Sequence, residues 1–241
     1  MMTTKAIIQA GWDDAPWLTE RAKKQMEADT PPHLIEARRL GRPSMGSGNV
    51  FPISIESIMC KPIEIPAFWK RIYALDPGWN NTAVLWGAID PQTDTLYIYD
   101  ELFLKEQPPA VCAAGIRARG NWIPGVIDPA SRGRSQVDGK QMLQSYRDQG
   151  LKVHPAENAV DTGISDLWHR MTSGTVKVFN TLPHFAREFI LYRRDLKGRI
   201  IKENDHIMDC FRYIQLNLKR AKSKAEMVSV PTYNGEANYR I

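Results

Sequence analysis

Two short apolar runs in this chain end in the same way, on an aspartate followed by a proline: Ala74-Leu75-Asp76-Pro77 and Val126-Ile127-Asp128-Pro129. Short apolar runs bounded by turn signals read as buried strands. The proline fixes the backbone where each run ends. In an open α/β sheet the carboxyl ends of strands line the functional crevice. Two carboxylates brought to neighbouring strand ends repel each other unless a cation lies between them. The bland alternative is that each aspartate only caps a turn, a common role for this residue.

The surrounding pattern gives the fold class. TAVLWGAID (82–90) and TLYIYDELF (95–103) are β-rich and joined by PQTD, good turn chemistry for a hairpin. PPAVCAAGIRARG (108–120) reads as a helix with proline at its start and glycine at its end. QVDGKQMLQSYRDQG (136–150) reads as a helix closed by Gly150, LKVHP (151–155) as a strand, and residues 160–173 and 180–192 as helices, the second capped by Asn180. LYRRDLKGRIIKEN (191–204) reads as a hairpin, with Asp195 and Gly198 at the first and last positions of a type I turn. HIMDCFRYIQLNL (206–218) places Ile207, Cys210, Phe211, Ile214 and Leu218 on one helical face. Strands alternating with helices imply an α/β fold, a mixed sheet with covering helices. Residues 1–68 are broken by prolines and read as an irregular linker, with one helix near 18–28 capped by Thr19. The expected division is therefore 1–68 linker, 69–220 domain and 221–241 polar tail.

Composition narrows the function classes. The 241 residues are 43% hydrophobic and 24% charged, with 16 Gly and 16 Pro, which excludes collagen, coiled coil and wholesale disorder. No apolar run approaches the roughly 18 residues of a membrane span, and the N-terminus lacks a signal-peptide core. A soluble intracellular protein without a membrane partner is the expectation. Cys60, Cys112 and Cys210 are odd in number and far apart, with no CxxC, so neither a disulfide framework nor a zinc-thiolate site is expected. The net charge is +5, and residues 187–241 alone hold twelve Lys/Arg against seven Asp/Glu. A basic C-terminal third fits a polyanionic partner or a solvated surface equally well.

A third acidic element completes a constellation. In ENDHIMDCFRY (203–213), Asp205 and Asp209 are i,i+4 neighbours on the expected helix, as are His206 and Asp209 at i,i+3. N-capping by Asn204 or Asp205 explains Asp205 but not Asp209. Three carboxylates from two strand ends and a helix offer hard oxygen ligands of the kind that suit Mg²⁺ or Mn²⁺. A pair of such ions is the machinery of two-metal phosphodiester hydrolysis.

The segment from about 71 to 217 resembles the nuclease domain of the large terminase subunit of tailed phages. The resemblance rests on ALDPG (74–78), IDPA (127–130) with DGK (138–140), and YRRDLKG…KENDHIMDCFRY (192–213). It implies an RNase H-like (retroviral integrase-like) fold, a mixed central β-sheet flanked by α-helices. It implies metal ligands at Asp76, Asp128 and Asp209, assisted by His206 and Asp205, and two Mg²⁺ or Mn²⁺ ions. Cys210 departs from the family's usual small alanine, which bears on packing rather than on the ligands. The implied activity is metal-dependent endonucleolytic cleavage of double-stranded DNA concatemers during genome packaging. The implied partners are duplex DNA, the terminase ATPase module, the small terminase subunit and the portal, in the host cytoplasm. Residues 1–65 resemble the end of the ATPase module and its linker.

The ATPase itself is not expected in this chain. Gly133 to Gln141 is a near miss for a P-loop, with one residue too many between the glycines and Gln141 where Ser or Thr should bind Mg²⁺. Arg132 and Arg134 follow Asp128, Lys140 lies in the DGK motif, and Arg193, Arg194, Lys197, Arg199 and Lys202 decorate the hairpin. These suit phosphate contacts, which position DNA without reading sequence; a merely solvated hairpin is the alternative. The seven tryptophans read mostly as core or rim packing, and none is assigned to base stacking. Two rival functions remain: another RNase H-like nuclease of resolvase type, and a non-catalytic DNA- or portal-binding module.

Overall fold

Capping chemistry sets the first element. Thr19 leads α1 (Glu20–Ala28), its hydroxyl accepting the Ala22 N–H at 3.2 Å, in keeping with the Ser/Thr preference at helix starts. The computed structural model describes residues 10–30, 35, 38, 39, 48–132, 141–195 and 197–224. Next come two short strands, β1 (Gly48–Asn49) and β2 (Met59–Cys60), then three long ones, β3 (Lys70–Asp76), β4 (Thr82–Ile89) and β5 (Leu96–Leu104). The chain continues through α2 (Pro109–Gly120), β6 (Gly125–Ile127), α3 (Met142–Asp148), β7 (Val153–Pro155) and α4 (Val160–Thr172). It then forms β8 (Val176–Phe179), α5 (Pro183–Leu191), β9 (Arg193–Arg194) and α6 (His206–Leu216).

Seven strands pair in the order β2-β8-β5-β4-β3-β6-β7. β4 runs antiparallel to β3 and β5, whereas β3–β6, β6–β7, β5–β8 and β2–β8 are parallel. This is the mixed central sheet with flanking helices that the resemblance implies. Parallel neighbours need crossover connections, and the helices supply them. Side chains alternate across the sheet: Ile72 and Ala74 join one core, Tyr73 and Leu75 the other. Helices α4, α5 and α6 cover the first face, and α2 and α3 the second. A sheet buried on both faces explains why its central strands read as near-continuous apolar runs.

Helix α6 packs on β3 and β4 and against both α4 and α5. Ile207, Cys210, Phe211 and Ile214 are buried as their spacing requires, but so are Met208, Asp209, Arg212 and Tyr213. Leu218 lies beyond the helix, in a 3₁₀ turn over Leu218–Arg220. Gly163 in α4 makes room for this packing. A Cβ there would stand 2.4 Å from Cγ of Arg212, so any side chain would force the buried Arg212 stem or the helix packing to shift.

Several expectations need correction. No helix begins at Asn180: residues Val176–Phe179 form β8, and α5 starts at Pro183 after Leu182. Four residues are too few to show a period, and the strand exists because it fills the slot between β5 and β2. The hairpin at 191–204 has its turn, with the Gly198 N–H donating to the Asp195 carbonyl at 2.9 Å and Gly198 at φ +77°. Its arms are joined by the Asp195 N–H to the Arg199 carbonyl at 2.7 Å and the Ile201 N–H to the Arg193 carbonyl at 3.0 Å, around an Arg194–Ile200 bridge, and β9 pairs in addition with β1. Of the helix expected over 136–150, only Met142–Asp148 is helical, and 136–140 lies outside the described residues.

Residues on either side of the expected 69–220 domain pack against it. Val50, Phe51 and Ile58 are core residues and β2 joins the sheet; on the other side, Lys222 bridges to Arg71. Among the described residues, Cys112 and Cys210 are buried and Cys60 half-buried, all free. No helix among them is long and apolar enough to cross a membrane.

Candidate active site

The parallel pairing of β3 and β6 aligns Leu75 with Ile127. Each is the residue before an aspartate, so Asp76 and Asp128 emerge side by side at one edge of the sheet. The Asp128 N–H donates to the Leu75 carbonyl at 3.0 Å, tying the two strand ends together. The first turn of α6 meets this edge. The ring of His206 lies against Asp76, with Nδ1 2.7 Å from its carboxylate, and Nε2 is 3.3 Å from the Asn81 amide. Further along the helix, the Tyr213 hydroxyl donates to Asp128 at 3.0 Å. Asp76, Asp128 and His206 thus belong to one neighbourhood, and Asp209 lies near enough for its charge to act on Asp76.

Electrostatics mark it as a crowded anionic site. Burial holds the Asp76 carboxyl above the ordinary carboxylate range; the charges of Asp209 and Asp128 push the same way, and His206 pulls back. The hydrogen bond to Asp76 raises the His206 pKa against the effect of burial. Burial, with Asp209 and Asp128 beyond it, drives the Tyr213 phenol far up, so this side chain stays neutral and donates.

Asp209 is engaged already. The Arg212 guanidinium, nearly inaccessible to solvent, donates to Oδ1 at 2.6 Å, and the Lys202 ammonium donates to Oδ2 at 3.1 Å. The same ammonium is 3.0 Å from Asp205 Oδ2. Burial alone would lower the Lys202 pKa, but Asp209 and Asp205 outweigh it and push it up to about 12. Among the described residues no three His, Cys, Asp or Glu side chains are arranged to clasp one ion as they stand. The donor chemistry nevertheless fits a divalent cation: hard carboxylate oxygens, mutually repelling, with positive side chains drawn in against one of them.

Of the basic residues expected to contact phosphate, Arg193 and Lys197 are exposed. Arg194 instead clamps the hairpin, donating to the Gly198 carbonyl at 2.8 Å and pairing with Asp161 at 3.4 Å. Arg199 is exposed but pairs with Asp195 at 3.0 Å. Arg132 ends the short 3₁₀ turn Pro129–Arg132 after Asp128, and Arg134 and Lys140 lie outside the described residues. Among the tryptophans, Trp12, Trp69, Trp86 and Trp168 are buried, while Trp17 and Trp79 are exposed.

Sequence reasoning missed Arg212, Tyr213 and Glu188. Arg212 and Tyr213 stand three and four residues after Asp209, where helical spacing could have found them. Glu188 is the unexpected one. Neither Asn204 nor Asp205 caps α6 with a side chain; Glu188 of α5 does so instead, its carboxylate accepting the Ile207 N–H at 2.6 Å and the Met208 N–H at 3.4 Å. Sequence gives no sign of a cap borrowed from another helix.

Burial pushes the Glu188 pKa from 4.5 up to about 7, despite the two N–H donors that favour the anion. A pKa raised in the folded state means that the native protein holds the extra proton. The stability this group contributes is therefore complete below about pH 4.5 and lost as pH rises through about 7. Glu188→Gln keeps an acceptor oxygen and removes the titration. Urea melts of this variant should show a flatter pH dependence across that window than the wild type; superimposable profiles would exclude the assignment.

No family model matches the chain. It is 37% identical over 211 residues to the large terminase subunits of Enterobacteria phage LP7 and Salmonella phage P22, a match covering 83% of this chain. The chain belongs to the terminase large subunit family. It spans less than half of these curated relatives, 44% of the first and 42% of the second. Among solved structures, the nuclease domain of the P22 large terminase superposes with a TM-score of 0.70 at 32% identity, over 76% of this chain and 99% of that one. The large terminase of a thermophilic bacteriophage, solved with ADP, superposes at 0.67 with 18% identity, over 86% of this chain and 54% of that one, a likeness of fold. In this terminase chain the sheet and its flanking helices position the acids.

Proposed function

We propose that this terminase chain is a metal-dependent endonuclease domain that cuts double-stranded DNA during phage genome packaging. The observation that carries the reading is the convergence of Asp76, Asp128, Asp209 and His206 where two adjacent parallel strands end and one helix begins. Asp76, Asp128 and Asp209 would hold two Mg²⁺ or Mn²⁺ ions, with Asp205 beside them. Bound ions would supply Lewis acidity for water attack and for the leaving oxygen. The protein's own groups prepare the site. Tyr213 orients Asp128, Arg212 fixes Asp209, and His206, held between Asp76 and Asn81, can keep or pass a proton at Nδ1.

The test is plasmid nicking with Mn²⁺, with and without a chelator. Metal-dependent nicking supports the nuclease; its absence favours a non-catalytic DNA- or portal-binding module, a rival that the prior pairing of Asp209 with Lys202 and Arg212 makes concrete. A resolvase-type enzyme would prefer a four-way junction to linear duplex. We place the ATPase module, the small terminase subunit and the portal as partners of this domain, and assign no ATP hydrolysis to this chain. The P-loop near miss lies mostly outside the described residues.

The hairpin supplies a further expectation. Arg193 and Lys197 are exposed, whereas Arg194 is committed to holding the turn, Arg199 pairs with Asp195, and Lys202 pairs with Asp205 and Asp209. Neutralising Arg193 and Lys197 together should weaken duplex binding equally for all sequences. Each lost phosphate contact should flatten the slope of log K against log salt by roughly 0.9. An unchanged slope means that the hairpin is only solvated.

A further inference from the structure

We propose that Lys202 is a tethered counter-cation, which holds Asp205 and Asp209 when no divalent ion is bound and is released to a DNA phosphate when one binds. The inference deepens the nuclease reading and rests on it.

Three observations carry it. First, one ammonium bridges two acids that the sequence sets four residues apart, at 3.0 Å from Asp205 Oδ2 and 3.1 Å from Asp209 Oδ2. Second, the two cations on Asp209 are unlike. Arg212 is buried, lies on the same helix and has Asn158 as a second partner, so it is part of the framework. Lys202 lies before the helix, outside any strand, and its side chain is 65% exposed. Its flexible stem can move away without leaving a cavity, which a buried guanidinium could not do. Third, among the described residues no three donors are arranged to clasp an ion as they stand, although acids that could form such a cluster are present. Lys202 sits on the oxygen of Asp209 that Arg212 leaves free, which is the oxygen an incoming ion would need.

Charge balance then links two events. An ion bound by these acids repels the ammonium, and the freed ammonium lies beside the site, where a polyanionic backbone would draw it. Metal binding and DNA binding should therefore reinforce each other through this one side chain.

The test compares the whole chain with Lys202→Met and Lys202→Gln, two substitutions at an exposed position. Calorimetric titration with Mn²⁺ in the absence of DNA should show both variants binding about three- to tenfold more tightly than wild type, since the ion no longer displaces half-exposed ion pairs. Duplex binding is then measured against salt, once with Ca²⁺ and once with chelator. The wild type should exceed the variants in slope by roughly 0.9 with Ca²⁺, and by nothing with chelator. Equal or weaker Mn²⁺ binding by the variants overturns the proposal and leaves the nuclease reading standing. A slope difference of the same size with chelator also overturns it, because Lys202 would then be a permanent phosphate contact. If neither wild type nor variants bind Mn²⁺, the metal site itself is wrong and both readings fall.

Discussion

Asp76→Asn and Asp128→Asn should each reduce Mn²⁺-dependent nicking by at least about three orders of magnitude, the scale on which losing one member of a catalytic unit acts. The double variant should be little worse than either single one, because one missing ligand already disables the unit. Both substitutions should leave the fold intact. The carboxyl of Asp76 is raised by burial and by Asp209 and Asp128, so removing a negative charge relieves repulsion in the ion-free protein. Asp128→Asn should also lose most of any Mn²⁺-induced rise in melting temperature, since an ion that binds only the folded cluster stabilises it by mass action. A single variant that nicks at near the wild-type rate would remove that residue from the site.

The third acid behaves differently, and Arg212 is the reason. Arg212→Ala should destabilise the chain by about 3–5 kcal/mol, the usual cost of breaking a buried ion pair from one side. The guanidinium is 2% exposed and donates to Asp209 at 2.6 Å; truncating it leaves that carboxylate buried with only the exposed Lys202 as counter-charge. Asp209→Asn should itself cost stability, because the guanidinium then loses its anion; its effect on cleavage must be read beside a melt. Denaturant unfolding of Arg212→Ala, Asp209→Asn and the double variant closes a cycle. The double variant should be less destabilised than the two singles added together. Additive costs, or a loss under about 1 kcal/mol for Arg212→Ala, would mean that the pair is not a unit.

The two strand-ending aspartates were legible because they combine three local signals: an apolar run, a carboxylate and a proline. The helix carrying His206 and Asp209 was legible from its spacing. In the DLKG turn, Asp195 and Gly198 sit where their conformational preferences act through short-range bonds alone. Features of this kind depend on interactions within a few residues, and so the sequence states them directly.

What the sequence determined by itself was the alternation of strands and helices, the positions of the acids within it, and the family resemblance that the relatives at 37% identity bear out. Tertiary structure alone decided the rest. It made VKVF a strand by giving it β5 and β2 as partners, and it drew residues 50–60 into the core. It placed a glutamate from α5 on the start of α6, and wrapped that helix so fully that a charged pair, Asp209 and Arg212, is buried within it. These outcomes depend on pairing and burial between segments far apart in the chain, where the free energy of each residue is set by its neighbours in space and no local pattern records it.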